Sequence, residues 1–537
     1  MNAIRFPRLS ESANDVDSTV NNNWPEADHR NPRYHQSFGA GKTGIHQVLE
    51  FPTPNNFQLC QEMSERIETY DDAIEFLYGR INYERIDSQS YSTSDFKLDR
   101  MRTLLSRLGN PQERIPAIHV AGTKGKGSTC SMIAAVLATA GYQTGLYISP
   151  HISAFEERMT VNGNRPTPQE LVRLVHRLLP VVAEMDSMPG QMQPTYFELA
   201  TALAWLYFLD QGADFVVLET GLGGRLDSTN LCRPIVCVIT NVSRDHTHIL
   251  GSTVRQIAWE KGGIIKPGVP LVCGVSQPEA LELITQLCEE RGAPQILLER
   301  EIRVLDRRLA DRPASDGTSE FAETGRQPTA WIEIQTPHRH WTKLPVALRG
   351  AHQSTNTALA VAALDELQAQ GLMISENAVR QGLTSVTWPA RVEVVGTNPT
   401  VVIDAAHNWE SARALVATLR DEFAPRRRIL IFAATRDKDV TGLLRQLIPA
   451  FDTILFTKYR DNPRSVPVRE LRSFIHAISN RPVHYAENPA EAWHMARQWA
   501  QPDDLIAITG SFFLVAELRE LVLAEMNQAP PPIAGRK

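Results

Sequence analysis

The stretch GTKGKGS places Gly122, Thr123, Lys124, Gly125, Lys126, Gly127 and Ser128 in a row, and three glycines, two lysines and a hydroxyl at this spacing suit the binding of an anion. Glycines let successive backbone N–H groups converge on one point. A following helix adds its unpaired N-terminal donors and the positive end of its dipole, and Lys126 supplies a point charge against the outer phosphates. Ser128 would set its hydroxyl on a phosphate-bound magnesium ion. The spacing is irregular, however. The strict phosphate-loop pattern has four residues between the first glycine and Gly-Lys, whereas only Thr123 and Lys124 stand there, and Gly127 intervenes before Ser128. On this stretch alone an ordinary glycine-rich turn is the other reading.

Two further segments carry polar groups at the ends of apolar runs. DFVVLET ends near Glu219 and is followed by GLGGRLDSTN, which contains Asp227; PIVCVIT is followed by NVSRDHTHILG, with Asp245, His246 and His248. A buried, unpaired carboxylate is costly, and a cation offsets that cost. Magnesium held partly by a carboxylate and partly by nucleotide phosphates fits the pattern. Histidine is an unusual magnesium ligand, so spacing alone gives His246 little weight. Ser149, Pro150 and His151 follow a short strand, Thr144 to Ile148, where open α/β sheets place ligand-contacting loops. Local capping or packing by His151 is the plainer alternative.

The elements that position these groups read as alternating strands and helices. Ile115 to Ala121 is a strand and Ser128 to Ala140 an alanine-rich helix. Upstream, Phe57 to Tyr78 has helical spacing, and Asp99 to Leu108 is a short amphipathic helix that stops at Gly109-Asn110-Pro111. Downstream, Thr167 caps a helix running to about Glu184, with Glu170 completing a capping box, and TYFELATALAWLYFL reads as a buried helix. Helices are expected from Val254 to Glu260 and from Pro278 to Arg291. Residues 306–327 read as a polar surface insertion between strands at 302–305 and 331–336. A helix bearing His352, Gln353 and Asn356 near its start closes the first domain, and Trp388-Pro389-Ala390-Arg391 marks the crossover to a second. There, strands ending at Asp404 (before Ala405, Ala406, His407 and Asn408), at RRILIFAAT, at TILFT and at DLIAITGS alternate with helices. This is a small open sheet without a phosphate loop of its own, so its ligand groups would face the first domain across a cleft.

The chain's 537 residues are too many for one core. The expected division is a flexible N-terminal extension (1–55), a central domain that carries the glycine loop (56–386) and a C-terminal α/β domain (387–530). A formal charge of −6 argues against a nucleic-acid binder that relies on bulk phosphate neutralisation. No apolar run is long enough to span a bilayer, and the first residues lack an apolar segment of secretory type, so a cytoplasmic protein is expected. Cys60, Cys130, Cys232, Cys237, Cys273 and Cys288 lack metal-ligand spacing and read as free, mostly buried thiols.

Taken in order, GTKGKGS, SPHI (149–152), ETGLGGRLDSTN (219–230), DHTHILG (245–251), EKGGIIKPG (260–268), HQSTN (352–356), WPAR (388–391), DAAHN (404–408) and TRDKD (435–439) resemble the Mur ligase superfamily of ATP-dependent amide ligases. Within it the match is to the folylpolyglutamate synthase and dihydrofolate synthase family, over roughly residues 57 to 525. That family has the shorter glycine loop. The resemblance implies an α/β fold, with a P-loop ATPase-type N-terminal domain and a smaller Rossmann-like C-terminal domain. It implies an ATP-dependent ligase, a monomer, that adds L-glutamate to a folate or dihydropteroate through an acyl phosphate. Residue by residue, it implies Lys126 as the phosphate-binding lysine, and Ser128, Glu219 and His246 as magnesium ligands. Lys261 falls where the family has a lysine carbamylated by carbon dioxide, able to hold a second magnesium. Asp227 matches a pterin-contacting position, with Ser149 and Pro150 on the same side; His151 is a positioning group. Asn356, Arg391, Asp404 and His407 match nucleotide-site positions. Lys124 stands where bacterial members usually have Asn, which puts the subtype in question. The competing readings are a cell-wall precursor ligase of the same superfamily, for which no N-terminal UDP-binding domain is apparent, and a nucleotide-binding regulator without ligase activity.

Overall fold

Five consecutive buried residues, Ala117–Ala121 (β1), form the central strand of the larger sheet; all but His119 are apolar, as a parallel strand covered by helices on both faces requires. The computed structural model describes residues 67–84, 96, 98–190, 192–310, 327–436, 438–460, 462–476, 478 and 481–528. The N-terminal extension, the first part of the helix read at 57–78, and residues 311–326 of the expected insertion lie outside the described residues.

Thr144–Tyr147 (β2), Met159–Val161 (β3), Phe215–Glu219 (β4), Pro234–Ile239 (β5), Leu271–Cys273 (β6) and Gln295–Leu297 (β7) complete a sheet of order β3-β2-β4-β1-β5-β6-β7. All neighbours are parallel except β2 and β3. On one face Ile118, Val120, Val217 and Val238 pack on the helices Lys126–Thr139, Ala351–Ala369 and Glu376–Ser385. On the other, Ala117, Val216 and Leu218 pack on the helices Tyr70–Tyr78, Leu98–Arg107, Pro168–Asp186 and Tyr196–Asp210. Two of these begin as their sequences dictate: Thr167 with Glu170, and Thr195 with Glu198, form capping boxes.

Arg303–Leu309 (β8), Ala330–Gln335 (β9) and His340–Val346 (β10) form an antiparallel sheet of order β10-β9-β8. The expected insertion therefore begins later than the sequence suggests. Asp306 and Leu309 are strand residues paired with Glu333 and Ala330, and a charged edge strand hides its alternation because one side faces solvent. The third sheet comprises Glu393–Gly396 (β11), Thr400–Ile403 (β12), Arg428–Phe432 (β13), Thr453–Phe456 (β14), His484–Tyr485 (β15) and Leu505–Thr509 (β16). Its order is β11-β12-β16-β13-β14-β15, parallel but for β11, with apolar layers on both faces.

A buried carboxylate joins the two halves. Glu422, whose side chain is 2% exposed, accepts from Arg307 Nη2 at 2.7 Å, Arg349 Nη1 at 3.3 Å and the Gly350 N–H at 2.9 Å. Three donors meet its charge, which a buried carboxylate needs. Cys130, Cys232, Cys237, Cys273 and Cys288 are reduced and buried. Among the described residues no helix is long and apolar enough to cross a membrane.

Candidate active site

The loops after β1, β4 and β5 leave one edge of the first sheet side by side, because those strands are neighbours: Val120 pairs with Glu219, and Ala121 with Ile239. The loop after β1 is GTKGKGS. Gly125 has φ +80° and serves as N-cap of the helix Lys126–Thr139, which thus starts two residues before the expected Ser128. A left-handed residue there favours glycine. The loop is held from below by the segment after β5. Asn241 Oδ1 accepts from the N–H groups of Thr123 (3.2 Å) and Lys124 (2.9 Å), and the Thr240 hydroxyl donates to the Lys124 carbonyl at 2.6 Å.

The two loop lysines face different carboxylates. Lys124 Nζ lies 2.6 Å from Asp245 Oδ2, and Lys126 Nζ lies 3.7 Å from Glu219 Oε1. Glu219 is 5% exposed and accepts from the Ser149 N–H at 3.3 Å. Burial pushes its carboxyl above the ordinary range, against the pull of Lys126 and Arg391. A divalent cation would relieve that cost. Among the described residues no three His, Cys, Asp or Glu side chains form a metal cage. The donor set, Glu219 with the Ser128 hydroxyl, therefore fits an ion such as magnesium that takes few protein oxygens and completes its shell with phosphate and water. His246 lies beside Asp245, Nε2 to Oδ1 3.9 Å, and lines the same cavity.

Lys261 is buried beneath the loop, with Nζ donating to the Gly122 carbonyl at 2.9 Å. Burial, with Lys126 nearby, brings its amine down to about 7. Gly122 and Lys261 are thus under the cavity floor, whereas Thr123 to Ser128, Ser149, Pro150, His151, Glu219, Asp227, His246, Asn356, Arg391, Asp404 and His407 all line one cavity of about 1120 Å³. Asp227 caps the turn Ser228–Leu231: its carboxylate accepts the N–H groups of Leu222 (2.9 Å) and Thr229 (3.0 Å) and the Thr229 hydroxyl. That hydroxyl in turn accepts from His119 Nε2 at 2.9 Å, so a buried chain fixes the glycine-rich loop.

The second half closes the cavity. Asp404, at the end of β12, is 7% exposed and accepts from the Val392 and Ala406 N–H groups, both at 2.9 Å. Burial pushes its carboxyl up, and Arg391 opposes the shift. The Arg391 guanidinium stacks on Phe512 at 5.0 Å, and its charge acts on both Asp404 and Glu219. His407 Nδ1 bonds to the Ala405 carbonyl at 2.9 Å and packs on the same ring.

Several cavity groups either stood in quoted motifs without a role of their own, as Gln353, Trp388 and Lys438 did, or were not singled out by the sequence, as with Arg464 and Ser511. Gln353 Oε1 accepts from Asn356 Nδ2 at 2.9 Å, and its Nε2 lies 3.5 Å from the Ser128 hydroxyl. Trp388 lies over Gly127, where a side chain would overlap the indole. Lys438, Arg464 and Ser511 line the C-terminal wall. Position just past a strand end, one glycine beyond Thr509, was the available signal for Ser511.

The sequence matches two family models, the Mur ligase middle domain over residues 120–364 and the Mur ligase glutamate ligase domain over residues 390–512. It is 35% identical over 453 residues to the dihydrofolate synthase/folylpolyglutamate synthase of Bacillus subtilis, covering 84% of this chain and 98% of that protein. Among solved structures, Mycobacterium tuberculosis folylpolyglutamate synthase complexed with ADP superimposes with a TM-score of 0.73 at 30% identity, covering 88% of this chain and all of that one. Escherichia coli FolC in complex with DHPP and ADP gives 0.70 at 29% identity, covering 85% and 98%. The chain belongs to the dihydrofolate synthase/folylpolyglutamate synthase family of Mur ligases.

Proposed function

We propose that the chain is an ATP-dependent ligase that joins the amino group of L-glutamate to the carboxylate of a folate, and of dihydropteroate where that is the acceptor. A carboxylate is a poor electrophile. ATP phosphorylates it, ADP leaves, and the glutamate amine attacks the acyl phosphate and expels phosphate. No protein nucleophile is needed, so the chain's task is positioning and charge compensation. The observation that carries this reading is the shared cavity, lined by Thr123 to Ser128 of the glycine loop from one half and by Arg391, Asp404 and His407 from the other.

In this reading Lys126 and the loop amides hold the phosphates, with Gly122, Thr123, Lys124, Gly125 and Gly127 shaping the cradle. Asn356, Arg391, Asp404 and His407 hold the rest of the nucleotide. Ser149, Pro150 and Asp227 face the pterin acceptor, and His151 positions it. Magnesium would be held by Ser128, Glu219 and His246, and when bound it supplies charge stabilisation for the transferring phosphoryl group. Carbamylation needs an unprotonated amine, and Lys261, with its pKa lowered to about 7, meets that need; as a carbamate it would hold a second ion. A division near residue 386 and a monomeric, cytoplasmic enzyme belong to the same reading. Seating of the two halves against each other excludes water from the acyl phosphate.

The test is product mass after incubation with ATP, L-glutamate and either dihydropteroate or tetrahydrofolate. Gain of one or more glutamyl units on either acceptor supports the reading; ATP hydrolysis independent of glutamate, with no amide product, refutes it.

A further inference from the structure

A second polar cluster on the cavity wall ties the two halves of the chain together through one residue. The Arg158 side chain is fully buried and spends every face of its guanidinium. Its Nη1 and Nη2 form a fork on the Glu84 carboxylate, Nη1 to Oε1 at 3.0 Å. The plane stacks on Tyr196 at 5.2 Å, and Nε donates to His151 Nδ1 at 2.8 Å. Because Nδ1 accepts, the imidazole proton sits on Nε2, which lies 3.2 Å from the Tyr78 hydroxyl. Glu84 is also gripped from the other side: its main-chain carbonyl accepts from Arg464 Nη2 at 2.6 Å, and Arg464 comes from the C-terminal half, stacked on Phe513 at 5.7 Å.

We propose that Glu84 is a positioning residue that makes the orientation and tautomer of His151 depend on the seating of the C-terminal half. Its carboxylate holds the arginine that sets the imidazole, and its carbonyl is held by Arg464. The inference rests on the reading that the loop 149–151 faces the acceptor. Acceptor binding and seating of the C-terminal half are then one event, whereas the nucleotide cradle, built by other residues, is indifferent to this chain of contacts.

The experiment is steady-state kinetics of the full-length chain carrying Glu84→Gln, Arg464→Ala and both, with thermal midpoints measured alongside. Each single change is expected to raise the acceptor KM about tenfold, with the ATP KM changed less than about twofold, and the double variant is expected to equal the worse single one, since both act through the same imidazole. A multiplicative effect in the double variant, or an equal rise in the ATP KM, overturns the proposal. Arg158→Lys keeps the charge but loses the fork, and should reproduce Glu84→Gln; a wild-type acceptor KM in that variant also overturns it. Selective 15N-histidine spectra supply a readout independent of turnover. His151 should show the Nε2–H tautomer in the wild type and a mixture in Glu84→Gln, and an unchanged tautomer counts against the proposal. Absence of any glutamylated product from the wild type would instead refute the ligase reading, and leaves the spectral result to stand by itself.

Discussion

Gly127→Ala should disable the enzyme without unfolding it. Gly127 sits in the first turn of the helix Lys126–Thr139, and its backbone is one that alanine adopts freely, so the effect is steric alone. The added methyl overlaps Cζ2 of Trp388 and lies 3.0 Å from Cη2 and 3.1 Å from Glu219 Oε2. Ordinary carbon contacts begin near 3.5 Å, so the indole must withdraw by about 1 Å. Overpacking of this kind costs about 1–3 kcal/mol. Trp388 adjoins Pro389 and Arg391, so its withdrawal pushes the Arg391 segment away from the phosphate loop. A misplacement of about 1 Å at reacting groups costs roughly 100-fold in rate. The expectation is therefore a kcat lower by about 100-fold in the glutamate-dependent release of ADP, with a native circular-dichroism spectrum. Trp388→Leu makes room for the methyl, and the pair Gly127→Ala/Trp388→Leu should turn over faster than Gly127→Ala alone. A Gly127→Ala enzyme within threefold of wild type, or a double variant slower than the single, would show that the indole does not register the two halves.

Other outcomes follow from other contacts. Lys126→Ala should lower kcat by at least about 100-fold while the thermal midpoint stays near wild type, because the lysine faces the cavity and, among the described residues, its ion-pair partner is Glu219 at 3.7 Å. His119 is fully buried, and burial holds its imidazole down at about 3. The unfolded chain takes up this proton near pH 6.5 and the native one does not, so stability falls as pH drops below 6.5, by about 2 kcal/mol at pH 5. His119→Gln removes that slope in urea unfolding measured across pH 5–7; an unchanged slope refutes the assignment. If Lys261 carries a carbamate, activity should fall on removal of carbon dioxide and bicarbonate and return on their addition, whereas Lys261→Met should be inactive and insensitive to bicarbonate.

How much of this was legible depended on whether a signal was local. The glycine loop, the capping box at Thr167, and the apolar runs of β1, β4 and β5 are written in residues close together in the chain, and each appears close to where its pattern ends. The helix Lys126–Thr139 gained its first two residues because Gly125, not Ser128, is the cap. The strand His340–Val346 escaped notice because Pro345 and alternating polar residues imitate a loop, and Arg303–Leu309 was read only as far as Leu305 because an edge strand carries charge on its solvent side. The helix Glu376–Ser385 is short and follows a turn. Contacts such as Gly127 with Trp388, or Glu422 with Arg307, join positions more than a hundred residues apart. Nothing periodic foretells them, since they exist only once the two sheets have met. The motif WPAR named Trp388 without saying what it touches.

The buried sulfurs have a practical outcome. Burial pushes the thiols of Cys237 and Cys273 up to about 12 and that of Cys288 to about 11, and raises those of Cys130 and Cys232 as well, so almost none of these five is thiolate near neutrality. With Cys60 replaced, the chain becomes a silent background for maleimide dyes. One fluorophore at Met373, which is 82% exposed, and another at Trp409, which is 40% exposed, would turn their separation into a live ruler, reporting in solution whether that distance changes when ATP arrives.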